Sequence, residues 1–376
     1  MKVGIITFHH TTNYGATLQA YALWETIKKQ GYKAEIIDYR PHEAVRHYQN
    51  KIFMPVEVKG RKNFLINLSK YFISGLKKYI RMRYFLISKI KLSKKILDRE
   101  DLPSLVENEH GYDVVVAGSD QIWCTISIRG FNPSYFLDFV TQTSKCRKVS
   151  YAASFGPTTT LQNERDSLSH LIKQFNSISV RDSNSLNIVQ NEFRSDATKV
   201  LDPTFLTDFK TIIPNRKNKK PPYLLLYFEK KILPEEEGFI KSIADKIGLR
   251  IISVGDPYSF ADEILMGLGP DEWLFYFKHA SFIVTGFYHG TIFSIKFEKQ
   301  FTTLARESKK NKTQDLLNMI GLTHRLVTQI ETDTVDEQLL DIDYRMVNDR
   351  LAPEINKSKS YLLEALAPEK KMATKI

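Results

Sequence analysis

Cysteine is nearly absent: Cys124 and Cys146 are the only two in 376 residues. Their spacing fits neither a metal pair nor a redox pair, and nothing in it indicates an oxidising compartment. Long apolar runs are missing as well, so no stretch has the length of a membrane span. The opening MKVGIITF has a brief apolar segment and no small-residue cleavage site, and it reads as a first strand, not a leader. These absences point to a cytoplasmic protein. No His, Asp or Glu constellation has metal-ligand spacing, so no metal and no resident cofactor are expected in the chemistry. A full GxGxxG is lacking, which argues against a dinucleotide. Short-period repeats and low-complexity segments do not occur.

Positive charge is what the chain has in excess, and it is concentrated. The formal net charge is +11, and residues 51–100 alone carry 14 Lys plus Arg against three acids. The remainder of the chain is therefore balanced. The basic segment interleaves its charges with Phe64, Leu68, Tyr71, Phe72, Leu76, Tyr79, Phe85 and Ile90, several of them at helical spacing. This predicts a basic amphipathic helix or helix pair inserted in the first domain. Such a helix suits the interface of an anionic membrane, which would make the protein peripheral on the inner face of the cell membrane. A solvated insertion packed on its own domain is the alternative. Nucleic acid is not expected, because no recognised binding motif accompanies the charge.

Residues 281–305, SFIVTGFYHGTIFSIKFEKQFTTLA, read as strand, tight turn, helix and strand. Gly286 breaks the first strand, a helical pattern starts at Gly290 and Thr291, and His289 is the one titratable side chain in the turn. In an open parallel sheet this turn lies at the carboxyl edge, where ligands bind. The N–H groups of Gly290 and Thr291 would favour an anion there. A His that caps the helix or fills a gap is the plainer account.

The same strand–turn–helix logic applies along the chain. Residues 2–7 form a strand, HHTTNYG follows, and a helix runs over 16–29 into a strand at 34–39. Asn13, Tyr14 and Gly15 suit a turn in which backbone approaches a ligand closely. His9 and His10 would point apart on an extended chain, although His10 could line a cleft. Residues 113–118 are a buried strand ending at Ser119 and Asp120, where a carboxylate can bind or deprotonate a hydroxyl, or cap the next turn. Strands at 148–154, 177–182 and 198–203 follow. Arg181 stands near the carboxyl edge of the second of these, as a clamp for carboxylate or phosphate or as the partner of a neighbouring acid. The last ends in Asp202 and Pro203.

Residues 208–222 turn polar, basic and Pro-bearing, and read as a linker. Strands at 223–228, 250–254, 283–285 and 301–304 then alternate with helices, and a helical tail covers 335–366 before fraying. The predicted fold is α/β: two doubly wound Rossmann-like domains, 1–207 and 223–334, facing a central cleft, with residues 335–376 bracing the first domain. His289 enters that cleft from one side; Asn13, Tyr14, Asp120 and Arg181 enter from the other.

Seven segments in one order resemble the polysaccharide pyruvyl transferase family: NYGATLQAYAL (13–23), VAGSDQIW (116–123), YAASFG (151–156), SVRD (179–182), VLDPTFL (200–206), FYHGTIFSIKFEKQF (287–301) and KTQDLLNMIGLTHRLV (312–327). The resemblance implies an architecture similar to GT-B glycosyltransferases. It implies transfer of a pyruvyl group from phosphoenolpyruvate to sugar hydroxyls, with a ketal formed on a cell-surface polysaccharide or a lipid-linked precursor. The family's motif His falls on His289 and the Arg of its SVR motif on Arg181. This chain departs from the pattern at Phe287, where many members carry Arg, and at Gly286, where Ser is common. Another cation must then serve the donor, or the donor differs.

Ketal formation needs an enol carbon protonated, two hydroxyls deprotonated and phosphate released. His289 is assigned as acid/base residue, with Asp120 secondary, Arg181 on the donor, and Asn13–Ala16 and Gly290–Thr291 N–H groups assisting. Rival readings are a glycosyltransferase using a nucleotide sugar and a non-catalytic membrane-associated partner in polysaccharide assembly.

Overall fold

The computed structural model describes residues 1–43, 45, 64–107, 110–126, 131–141, 143–161, 164–228, 231–305 and 307–368. The early part of the basic segment and the extreme C-terminal tail lie outside the described residues. Strands β1 (Lys2–Ile6), β2 (Lys33–Ile36), β3 (Val114–Ala117) and β4 (Arg147–Ser150) form a parallel sheet in the order β2-β1-β3-β4. Bridges from Val149 to Ser177 and from Ala153 to Val180 extend it to β5 (Ser179–Val180) and β6 (Thr198–Lys199). A second parallel sheet runs β12-β11-β10-β7-β8-β9. Its strands are β7 (Tyr223–Tyr227), β8 (Arg250–Val254), β9 (Glu263–Leu265), β10 (Phe282–Thr285), β11 (Gln300–Leu304) and β12 (Leu326–Val327).

The longer helices are α1 (Tyr14–Lys29), α2 (Phe64–Lys89), α3 (Arg165–Ile172), α4 (Pro234–Lys246), α5 (Pro270–His279), α6 (Tyr288–Lys296), α7 (Glu307–Ile320) and α8 (Tyr344–Leu366). They cover the sheets, so the central strands are buried along their whole length and carry apolar runs instead of an alternating pattern. VVVA in β3, YLLLY in β7 and FIVT in β10 are the clearest cases. The chain is thus two doubly wound α/β units, the class expected from its sequence.

One hydrophobic cluster crosses between the halves. Tyr14 of α1 stacks on Trp273 of α5 with ring centroids 5.5 Å apart, and its hydroxyl donates to the Leu268 carbonyl at 3.1 Å. Tyr21 packs against Phe209 and Phe85, at 5.9 and 5.8 Å. Phe209 and Ile212, in the polar stretch after the first sheet, are buried in this cluster. The two sheets are therefore joined by packed aromatic surface as well as by chain connection. Helix α8 then crosses back: Tyr361 donates to the Ser150 carbonyl at 3.0 Å, and Ser358 accepts from the Leu201 N–H at 2.9 Å.

Several elements differ from the pattern read along the chain. β9 and β12 are extra strands, each too short for alternation to show. β6 occupies only Thr198–Lys199 of the strand expected over 198–203. The helical tail is broken between the short helix Thr334–Leu339 and α8. The break has a local cause: Asp343 caps α8 by accepting from the N–H groups of Arg345 and Met346, at 2.9 and 3.2 Å. Arg325, fully buried, donates to the Gln338 carbonyl at 2.5 Å and to the Leu340 carbonyl. Arg325→Ala leaves those carbonyls unsatisfied and should lower stability by roughly 2–3 kcal/mol. Urea denaturation checks this, and an unchanged midpoint would contradict it.

Candidate active site

Three strand ends and one helix start meet at a single carboxylate. Beyond β6, the chain reaches Asp202 just before Pro203, which stops the strand. The Asp202 Oδ1 atom accepts from the Thr204 N–H at 3.0 Å and from the Thr204 hydroxyl at 2.7 Å, fixing the carboxylate by a local cap. Its Oδ2 atom is left to face the site. It accepts from Arg181 Nη1 at 2.9 Å and from the Ser119 hydroxyl at 3.4 Å. The His289 Nε2 atom lies 3.4 Å from the same oxygen.

Arg181 extends from the end of β5, its side chain sealed from solvent, and Asp120 Oδ1 lies 3.6 Å from its Nη2. The Tyr288 ring covers it, with the guanidinium carbon 4.9 Å from the ring centroid. Burial opposes the Arg181 charge, yet Tyr288, Asp202, Asp120 and Asp182 outweigh burial and hold its pKa above the ordinary value. Burial likewise pushes Asp202 up, but His289, Arg181 and Thr204 prevail and hold its carboxyl below the usual range. Asp120 occupies the left-handed region at φ 80°, and Ala152, at the end of the adjacent β4, does so at φ 52°. Strain thus sits at the rim where the carboxylate is presented.

His289 belongs to the first turn of α6, which begins at Tyr288 with Phe287 as its N-cap. The opposite wall is the first turn of α1, capped by the Asn13 side chain, which accepts from the Ala16 N–H at 3.3 Å. The approach is so close that a Cβ built on Gly15 would fall 2.2 Å from His289 Nδ1. Only glycine fits there. Gly290 is constrained in the same way, since a Cβ would lie 2.1 Å from Thr285 Oγ1. Two helix starts, one from each half, therefore converge on the imidazole, and each carries N–H groups without intrahelical partners. Arg181 Nε and Nη2 and His289 Nε2 are buried and make no hydrogen bond among the described residues.

Some of the residues read from sequence serve other ends. Helix α6 starts two residues earlier than the pattern suggested, so the Thr291 N–H is already donated to the Phe287 carbonyl at 3.0 Å. The Thr291 hydroxyl is paired with Thr303 at 2.8 Å. The free donors of that turn belong instead to Tyr288, His289 and Gly290. The Tyr14 phenol is turned into the contact between the halves, as described above. His10 joins a separate group with His9, Asp38, Arg40 and Arg83, where burial and the two guanidiniums lower its pKa to about 2. His9 Nε2 meets Asp38 Oδ1 at 2.8 Å in that group. Asp202 itself was read only as the end of a strand. The available signal was a second Asp at a strand's carboxyl edge, like Asp120, followed by a Pro that ends the strand.

A family model described as polysaccharide pyruvyl transferase matches residues 13–308. The chain belongs to the polysaccharide pyruvyl transferase family. It is thus a transferase, and all the converging residues above lie within the matched span. No curated protein sequence matches it significantly. Among solved structures it is similar to an O-GlcNAc transferase mutant from Thermobaculum terrenum, at 13% identity and TM-score 0.47, covering 97% of this chain and 66% of that one. It is also similar to a putative UDP-N-acetylglucosamine 2-epimerase from Listeria monocytogenes, at 10% identity and TM-score 0.47, covering 98% and 91%. A third likeness is to UGT89C1 of Arabidopsis thaliana, solved with quercetin, at 11% identity and TM-score 0.44, covering 99% and 95%. These are distant likenesses, and they assign neither substrate nor chemistry.

In this member of the family the departures at positions 286 and 287 have packing reasons. A Cβ on Gly286 would lie 2.9 Å from the Phe228 ring, and Phe287 packs on Tyr227 with ring centroids 4.5 Å apart. Nearby, Lys312 of α7 places its ammonium 5.2 Å from the Tyr288 ring, supplying a cation from the same half of the chain. It borders a cleft of about 440 Å³ lined from both halves, with Gln121, Asp182 and Asn184 on one side and Asn311 and Asn318 on the other.

The Gly15 contact is directly testable. Gly15→Ala must push the imidazole away from Asp202, and an ångström of misplacement costs about 10²-fold in turnover. Steady-state kinetics on a variant with unchanged circular dichroism should show that loss. Wild-type turnover would mean that the close approach does not position His289.

Proposed function

We propose that the chain transfers the pyruvyl group of phosphoenolpyruvate to two hydroxyls of a sugar, releasing phosphate and leaving a pyruvate ketal on a polysaccharide or its precursor. The observation that carries this reading is the shared carboxylate: a guanidinium from the first half and an imidazole from the second converge on Asp202, with three of their nitrogens buried and making no hydrogen bond among the described residues.

Net, the reaction moves protons without redox change. A proton adds to the methylene carbon of the enol, and the central carbon becomes electrophilic. The first hydroxyl adds there and gives up its proton. The carbon–oxygen bond to phosphate then breaks, and the second hydroxyl closes the ring, its proton leaving with the phosphate. His289 gives the first proton and receives the next, the two-way task an imidazole suits near neutral pH. Asp202, whose Oδ2 lies 3.4 Å from Nε2, stabilises the imidazolium by its charge. Asp120, half-buried at the rim next to Arg181, receives or orients an acceptor hydroxyl.

For the donor, Arg181 keeps the pocket cationic from behind, while the first-turn N–H groups of α1 and α6 meet the anionic groups directly. Saturated on one face by Asp202, Arg181 acts through Nε and Nη2, which make no hydrogen bond among the described residues. Lys312 takes the place of the cation that Phe287 does not provide. The amide-rich cleft beside it suits sugar hydroxyls.

Calorimetry and kinetics together test the reading. Phosphoenolpyruvate should give saturable heat, and nucleotide sugars should give none. His289→Ala should keep that heat within a few-fold while losing roughly 10²–10⁴-fold in turnover. Heat from a nucleotide sugar alone would favour glycosyl transfer instead, and near-wild-type turnover of a folded His289→Ala would remove the imidazole from the mechanism.

A further inference from the structure

Helix α2 carries an apolar stripe on its outer side. Ile73, Leu76, Ile80, Tyr84 and Ile87 are 61, 40, 56, 67 and 68% exposed. Their spacings of three, four, four and three residues keep all five on one narrow face of a helix with 3.6 residues per turn. The opposite face, with Met82, Phe85 and Leu86, is buried in the core next to α1. Five large apolar side chains aligned in water are unusual for surface residues, which are normally scattered singly.

The charge around the stripe says what covers it. From residue 64 to 97 the chain has nine Lys or Arg and no Asp or Glu. Lys77 and Lys89 are exposed on α2, and Lys91, Lys94 and Lys95 are exposed just after it. A second copy of the chain would bring two such cationic faces together. An anionic lipid surface would meet both the apolar stripe and its basic flanks. Among the described residues no helix is long and apolar enough to cross a membrane, so contact would be along the surface.

We propose that α2 lies in the headgroup region of an anionic membrane, with Ile73, Leu76, Ile80, Tyr84 and Ile87 entering the acyl boundary. The helix is fixed to both halves of the molecule, so docking it orients the whole enzyme. Arg81 donates to the Gly267 carbonyl at 3.0 Å and pairs with Glu272 on the second half. On the first half, Lys78 places its ammonium 4.3 Å from the ring centroid of Tyr14. Tyr14 immediately precedes Gly15, which abuts His289. The proposal stands apart from the choice of donor, because its readout is binding and not turnover.

The test is co-sedimentation of the full chain with vesicles of pure phosphatidylcholine and of phosphatidylcholine mixed with phosphatidylglycerol. Wild type should bind the anionic vesicles and release them at high salt. Ile80→Asp with Ile87→Asp should weaken that binding about tenfold or more while keeping the native circular dichroism spectrum. Should that pair fail to fold, Tyr84→Trp gives the same answer, its emission shifting to the blue on anionic vesicles. Failure of the wild type to sediment, equal binding of the folded double variant, or an unshifted Tyr84→Trp spectrum would overturn the proposal. A dimer in solution that dissociates in the Ile80→Asp, Ile87→Asp variant would also overturn it, by giving the stripe to a second copy.

Discussion

The buried carboxylate of Asp202 is the constraint on which the site depends. It pairs with a guanidinium that is itself sealed from water, and it faces an imidazole contributed by the other sheet. Removing one member of such a group leaves an uncompensated charge in a low-dielectric interior, which typically costs 3–5 kcal/mol, whereas the intact group is close to neutral in cost. The arrangement therefore contributes specificity more than stability: it fixes where the two halves of the molecule meet. The Gly15–His289 approach and the Tyr14–Trp273 stack enforce the same relation from α1. Together they hold an imidazole, a guanidinium and two helix starts around one small space.

Much of this was legible in the chain. Apolar runs bounded by Gly, Asn and Pro located the central strands, and doubly wound sheets place their carboxyl-edge loops on a common side. That geometry is why His289, Arg181, Ser119 and Asp120, spread over 171 positions of sequence, could be nominated for one cleft. What the chain did not reveal was which of these groups touches which. Asp202 reads as the end of a strand until β5 and β6 are seen side by side with Arg181 pointing across. Thr291 and Tyr14 carry the right chemistry in the right motifs, but their polar atoms are consumed by a helix that starts at Tyr288 and by the contact with Leu268. A two-residue difference in where a helix begins decides which N–H groups are free, and periodicity does not resolve it.

The basic segment shows the same limit from another side. Its composition identifies an amphipathic helix, yet it does not say which face the protein keeps for itself. Packing against α1 takes Met82, Phe85 and Leu86 and leaves a second apolar stripe outward. Periodicity alone could not separate two apolar faces on one helix. Because α2 also reaches Glu272 and Gly267, it clamps the halves whose relation the Asp202 group requires. The outward apolar stripe and the geometry of the cleft are thus joined through one element.

Whether His289 and Asp202 work as a single unit is tested most directly by a double-mutant cycle on turnover. Asp202→Asn, His289→Ala and their combination would be compared as folded proteins, with spectra and melting curves as controls. If Asp202 works through the imidazole, the double variant turns over at about the rate of His289→Ala alone. Losses that multiply would mean that the two side chains act independently, and the shared carboxylate would then not be the centre of the site.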